Sequence, residues 1–160
     1  MEKDIVASMT PDRYIEERVK QYQSWYNGKS IGCKSKYLKM RALSVVGGAA
    51  VPILVNLNFQ YVNIVATIIS LMVVIFVSLE SVFHYREQWK NYRSTEQYLG
   101  HEQIRFLTKI GVYKELDDKD AFLLFVERVE SAISNENSAT LNIMTLASEG
   151  KTEEVAKQIR

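Results

Sequence analysis

No charged residue occurs between Arg41 and Glu80, although 24% of this 160-residue chain is charged. That gap removes the solvated face a helix on a water-soluble protein normally carries. Proline occurs only at positions 11 and 52, so nothing between Ser81 and Lys109 is a strong helix stop. Cys33 is the sole cysteine. It excludes an internal disulfide and fits a reducing compartment, with palmitoylation as the alternative fate of a juxtamembrane thiol. A net charge of +1 gives no basic excess that would point to nucleic acid. Met1 to Thr10 is short and mixed, unlike a signal peptide. Catalytic signatures are missing too: there is no phosphate-cradling glycine loop and no nucleophile elbow. His84 and His101 are too far apart on one helix to share a metal, so neither a metal site nor a cofactor is expected. His84 is expected at an interface and His101 in solvent. The reading is of a protein that is not an enzyme.

What is present is an apolar middle in two parts, about 40–57 and 62–82. The second contains thirteen Ile, Leu, Val or Phe between Val62 and Val82. Their summed insertion free energy of roughly −4 to −8 kcal/mol outweighs the few hydroxyls and amides among them. The first part is shorter, and Leu38, Met40 and the snorkelling side chains of Lys39 and Arg41 extend it. Between the two, Asn56 to Tyr61 is compact, polar and uncharged. Lys29, Lys34, Lys36, Lys39 and Arg41 precede the hairpin, and Arg86, Lys90 and Arg93 follow it. By the positive-inside rule both termini face the cytoplasm, and the lysines suit anionic headgroups. The pattern predicts an all-α membrane protein: a two-transmembrane hairpin whose long cytoplasmic extensions pack as a small bundle or coiled coil.

Before the hairpin, Thr10-Pro11-Asp12 reads as a capped helix start, and Tyr14/Ile15, Val19, Tyr22 and Trp25/Tyr26 recur at helical spacing. Gly28 and Gly32 are expected to break this helix. The second span is expected to run on unbroken into the cytoplasm, with Phe83, Trp89/Tyr92, Leu99, Gln103 and Phe106 as a packing stripe. Residues 110–119 read as a loop. Asp117 or Asp118 then caps a helix with Phe122, Phe125/Val126, Val129 and Ile133 on one face. Its acids Glu127, Glu130 and Glu136 are expected on the solvated side. Past Asn137 the pattern weakens, so 138–160 reads as a tail with a short helix, and 1–10 as a separate N-terminal segment.

Asn63, Thr67, Ser70, Val74, Ser78 and Ser81 are spaced 4, 3, 4, 4 and 3 and so share one face of the second span. Two explanations stand: helix–helix packing through hydroxyls, or the lining of a pore built from several copies, with Val74 as an apolar ring. Glu80 at the inner end either contributes a ring of carboxylates or pairs with His84 or Arg41. Ser44 and Gly48 are a small-xxx-small pair that, with Gly47, permits close approach between copies or within the hairpin. Pro52 frees a carbonyl and is a candidate kink.

Taken in order, Tyr14-Ile15-Glu16-Glu17-Arg18, Trp25-Tyr26, the hairpin, then Glu80, Phe83, Trp89, Tyr92-Arg93, Glu96, Leu99, Glu102 and Phe106 resemble the SLATT family. Gly111-x-Tyr113, Phe125 to Glu130 and Glu136-Asn137 extend the likeness, which covers about 11–137. The resemblance implies a two-transmembrane effector of bacterial conflict systems in the cell membrane. It would oligomerise into a pore or ion channel when a separate nucleotide-signalling or sensor protein acts. Its expected partners are the lipid bilayer, further copies of itself and that sensor. The rival expectation is a non-conducting anchor that recruits a cytoplasmic partner. Trp89, Tyr92, Arg93, Glu96 and Glu102 match the family pattern on the cytoplasmic side.

Overall fold

A computed structural model describes residues 9–57 and 60–158, with side chains described as far as Asn142. Of the expected connecting turn, Asn58 and Phe59 lie outside the described residues, as does most of the N-terminal segment. Helix α1 spans Pro11–Val55, α2 Val62–Phe83, α3 Tyr85–Thr108 and α4 Asp118–Gln158. A 3-10 turn at Gly111–Tyr113 joins the last two. No strand occurs among the described residues. The α1 and α2 helices are long and apolar enough to cross a membrane.

The chain divides into two compact units. The first holds α1 up to Ile31, the segment Trp89–Asn142, and hence most of α3 and the first half of α4. Its core follows the expected apolar faces: Tyr14, Ile15, Val19 and Tyr26 from α1, Tyr92 and Leu99 from α3, and Phe122, Phe125, Val129 and Ile133 from α4 are all buried. Removing one such side chain from water is worth about 1.5–3 kcal/mol. Aromatic rings lock the three helices together. Tyr14 meets Phe122 and Phe125 edge-on, each at 5.9 Å, while Phe106 stacks on Phe125 at 4.6 Å. Trp25, on the same helical stripe as Tyr26, stays about half exposed.

The second unit holds Gly32–Gln88 and the helix from Ile143 onward. Along α1 the shielded positions include Cys33, Tyr37, Met40, Ser44, Gly47, Ala50, Val51 and Leu54; along α2 they include Val65, Ala66, Ile69, Val73 and Phe76. Gly47 lets α2 come close: a Cβ there would lie 2.7 Å from Val73 Cγ2. The outward sides are aliphatic and open, with Val46 at 67%, Ile53 at 65% and Leu71 at 60% exposure. An apolar surface of this kind on both helices is a surface for something other than water. At the end of α1, Asn56 Nδ2 donates to the Pro52 carbonyl at 2.7 Å, and Leu57 N to the Leu54 carbonyl at 2.9 Å.

Several local expectations are corrected. Gly28 and Gly32 do not break α1, which runs through both. Each glycine forfeits only about 1 kcal/mol of helix propensity, less than the burial of Tyr26 beside them returns. Thr10 precedes the helix as expected, yet its hydroxyl makes no capping bond. Pro52, the candidate kink, lies inside this helix and is not among the corrected expectations. The second span does not run on unbroken: His84 adopts left-handed geometry (φ 50°, ψ 38°) and separates α2 from α3. A left-handed residue satisfies the end of a helix, a place glycine usually takes, and histidine is among the residues enriched there. Gln88 Nε2 donates to the freed Phe83 carbonyl at 3.0 Å, and the Phe83 and Tyr85 rings stack across the break at 5.3 Å. Asp117 does cap α4, accepting from the Asp120 amide at 2.7 Å. That helix passes Asn137 without interruption.

Candidate functional site

The polar residues of α2 occupy a surface of their own. Asn63, Thr67, Val74, Ser78 and Ser81 are exposed and Ser70 is half-buried at the stripe's edge. At 100° per residue this stripe sits roughly a third of a turn from the face of Ala66, Ile69 and Val73 that packs in the hairpin. Ile64, Ile68, Leu71 and Ile75 make a third, aliphatic face, exposed throughout. The hairpin therefore leaves the stripe uncovered. Two of its hydroxyls are satisfied by their own helix: Thr67 Oγ1 donates to the Asn63 carbonyl at 2.7 Å and Ser70 Oγ to that of Ala66 at 2.8 Å. Such back-bonding lets a hydroxyl tolerate an apolar setting.

Glu80 falls elsewhere. Its helical position aligns with Ala66, Ile69 and Val73, and it is half-buried. Of the small residues in α1, Ser44 is buried and bonds to the Met40 carbonyl, and Gly47 abuts Val73 and Ile69. Gly48 has open space where a Cβ would go, and Pro52 is exposed.

The first unit carries a buried polar network that its helical pattern only partly disclosed. Glu102 on α3 is 1% exposed. It accepts from the Tyr113 hydroxyl at 2.6 Å and from Arg128 Nε, with Arg105 3.7 Å away. Gly111, at φ 65°, makes the left-handed turn that brings Tyr113 back to α3. Glu130 on α4 receives Arg18 in a two-pronged contact, both bonds 2.9 Å, and the Tyr14 hydroxyl at 2.9 Å. Arg18 above all, then the Tyr14 bond, holds this carboxyl below the usual range against the opposing pull of burial. Burial first and the Glu130 charge second push the Tyr14 hydroxyl up. Glu136 is buried and accepts from Thr140 Oγ1 at 2.6 Å. Burial, then its charge, raises the hydroxyl of Tyr26. The expectation that Glu136 lies on a solvated face is thus corrected; Glu130 is half-buried and held by Arg18 and Tyr14, and Glu127 is exposed as expected.

Among the family-pattern residues, Tyr92 is buried against the rings of Trp25 and Tyr26, 5.9 and 6.1 Å away. Trp89 is half-buried. Arg93 is exposed, 3.1 Å from Glu96 and 3.4 Å from Asn27 Oδ1. Glu102 does not pair with Arg93, being taken by Tyr113 and Arg128. Beside Arg128 an open groove of about 670 Å³ runs between α3 and α4, with Asn91, Ser94, Tyr98, Ser131 and Asn135 on its walls. Among the described residues no three His, Cys, Asp or Glu are grouped to hold a metal.

A family model described as a protein of unknown function, DUF4231, matches residues 21–121. The chain belongs to the DUF4231 family. That match takes in α1 from Gln21, α2, the His84 break, all of α3 and Tyr113, and leaves out Tyr14, Arg18, Arg128, Glu130 and Glu136. Comparison with curated proteins and with solved structures finds no match.

Proposed function

We propose that this chain is an oligomeric membrane pore, an effector gated through its cytoplasmic helices, without catalytic chemistry or a cofactor of its own. The observation that carries the reading is the uncovered polar stripe on α2, set between the packed face and the aliphatic one. In a bilayer an aliphatic face meets lipid, and a polar one seeks water or another copy. Two helices cannot enclose a channel, so several copies would place Asn63, Thr67, Ser70, Ser78 and Ser81 along a shared axis, with Val74 as the apolar constriction. The 22 residues of α2 span about 33 Å at 1.5 Å each, against about 30 Å of hydrocarbon. Flanking lysines and arginines support an orientation with both termini in the cytoplasm. The likeness to the SLATT family adds a setting: a bacterial cell membrane, a conflict or anti-phage response, and a separate nucleotide-signalling or sensor protein as trigger.

The back-bonded Thr67 and Ser70 favour a second reading, in which the stripe is dry contact between copies and the chain is a non-conducting anchor for a cytoplasmic partner. Planar-bilayer recording of purified protein separates the two. Ser70→Leu with Ser78→Leu should abolish or sharply reduce conductance if the stripe lines a pore. An anchor would show no conductance before or after the change and would keep its recruiting activity.

A further inference from the structure

We propose that Lys36, Lys39, Arg41 and Arg86 form a collar at the base of the apolar hairpin that binds the headgroups of anionic phospholipids. The inference rests on the hairpin lying in a bilayer, but not on its conducting. All four side chains are exposed. Three stand where α1 turns apolar, and the fourth stands just past the His84 break. The two levels coincide in space: Lys36 Nζ lies over the Tyr85 ring, 5.3 Å from its centre, and Cys33 Sγ lies 3.6 Å from Gln88 Oε1. Arg86 is the residue after Tyr85, so cations of both helices gather at one end of the hairpin, away from Leu57 and Tyr61.

Among the described residues no ion pair engages these four cations; the pairs present take Arg13, Arg18, Lys20, Arg93, Arg105, Lys109 and Arg128. No acid occurs in the sequence between Glu17 and Glu80, so α1 itself carries none near these three. Lys36 and Lys39, three residues apart, share a side of α1, while Arg41 lies on another side. The cations thus ring the helix, as a headgroup layer would require, and do not form a single pocket. Lysine offers a point charge and arginine a planar fork to phosphate oxygens. The stacked Phe83 and Tyr85 rings supply the amphipathic material that sits at headgroup depth. A zwitterionic lipid brings its own cation to the same collar and gains far less.

The full chain in mild detergent is heated with added phosphatidylglycerol, phosphatidylcholine or inorganic phosphate. Phosphatidylglycerol should raise the unfolding midpoint at concentrations where the other two do not, and 0.5 M salt should weaken the effect. Each neutralised cation should lower the preference for phosphatidylglycerol about fivefold, and the triple variant Lys36→Gln, Lys39→Gln, Arg41→Gln about 100-fold. Arg86→Gln alone should lower it about fivefold, a milder change should the triple variant fold poorly. Lys114→Gln, in the first unit, should leave it unchanged. Equal responses to the two lipids, a response to inorganic phosphate matching that to phosphatidylglycerol, or a triple variant that keeps the preference would overturn the collar. Flotation with phosphatidylcholine liposomes reports separately on the bilayer: failure to float sinks the membrane reading, whereas flotation without lipid preference sinks the collar alone.

Discussion

Replacing Gly47 with alanine tests the register of the apolar hairpin. The added Cβ would sit 2.7 Å from Val73 Cγ2 and 3.6 Å from Ile69 Cγ2. Carbon atoms rest comfortably at about 3.5–4.0 Å, so the second contact is ordinary and the first is about 1 Å too short. Valine in a helix holds essentially one χ1 rotamer, so Val73 has little room to turn away. Either the rotamer strains or the helices part, at roughly 1–3 kcal/mol. Against that, alanine gains about 0.5–1 kcal/mol over glycine in helix propensity. Gly48 next door faces open space and should show only the gain. Equilibrium unfolding in dilute mixed micelles should therefore place Gly47→Ala about 1–3 kcal/mol below Gly48→Ala. Adding Val73→Ala to Gly47→Ala should recover at least half of the deficit as a favourable coupling. Equal stabilities for the two alanine variants, or strict additivity with Val73→Ala, would refute the packing described.

Other expectations follow from the first unit and the break. Glu102→Ala strands the buried Tyr113 hydroxyl and the half-buried Arg128 together, so chemical unfolding should show a loss of about 2–4 kcal/mol, with Glu102→Gln losing less. Glu130 has a folded pKa held below the 4.5 of an unperturbed glutamate. The Arg18 pairing therefore adds stability above that value, and the gain is lost as pH falls through the folded pKa. Thermal unfolding between pH 6 and 3 should show a steeper acid limb for the unaltered chain than for Glu130→Gln; parallel limbs would contradict the pairing. At His84, glycine should be neutral or stabilising, since left-handed geometry costs other residues about 1–2 kcal/mol. His84→Val should fall at least 1 kcal/mol below His84→Gly in the same assay, and equal values would mean that the break is not left-handed.

How much of this was legible in the sequence depends on whether a feature is periodic or paired. The apolar faces of Val19/Tyr26, Tyr92/Leu99 and Phe122 to Ile133 repeat every three or four residues, and all are buried. The α2 stripe was readable for the same reason. Glu136 extends the spacing from Phe122 through Ile133 and so was readable too, but a carboxylate's usual cost of burial points it to solvent. Glu130 lies off that face, and its partners Tyr14 and Arg18 are over a hundred residues away, beyond any local pattern. The glycines at 28 and 32 misled because propensity is weaker than tertiary burial. His84 misled in the opposite direction, since no glycine or proline marks the break. Glu80 shares neighbours in sequence with Ser78 and Ser81 but sits on a different face of the turn.

Cysteine accessibility in a conducting bilayer tests the central claim most directly. In a Cys33→Ser background, single cysteines at Thr67, Ser70, Val74 and Ser78 are exposed to a charged, water-borne thiol reagent while current is recorded. If the stripe borders the conduction pathway, these four positions react and the current falls, most sharply at Val74, whereas cysteines at Ile68 and Ile75 stay silent. Silence at all four stripe positions in a membrane that still conducts, or equal block from Ile68 and Ile75, would contradict it.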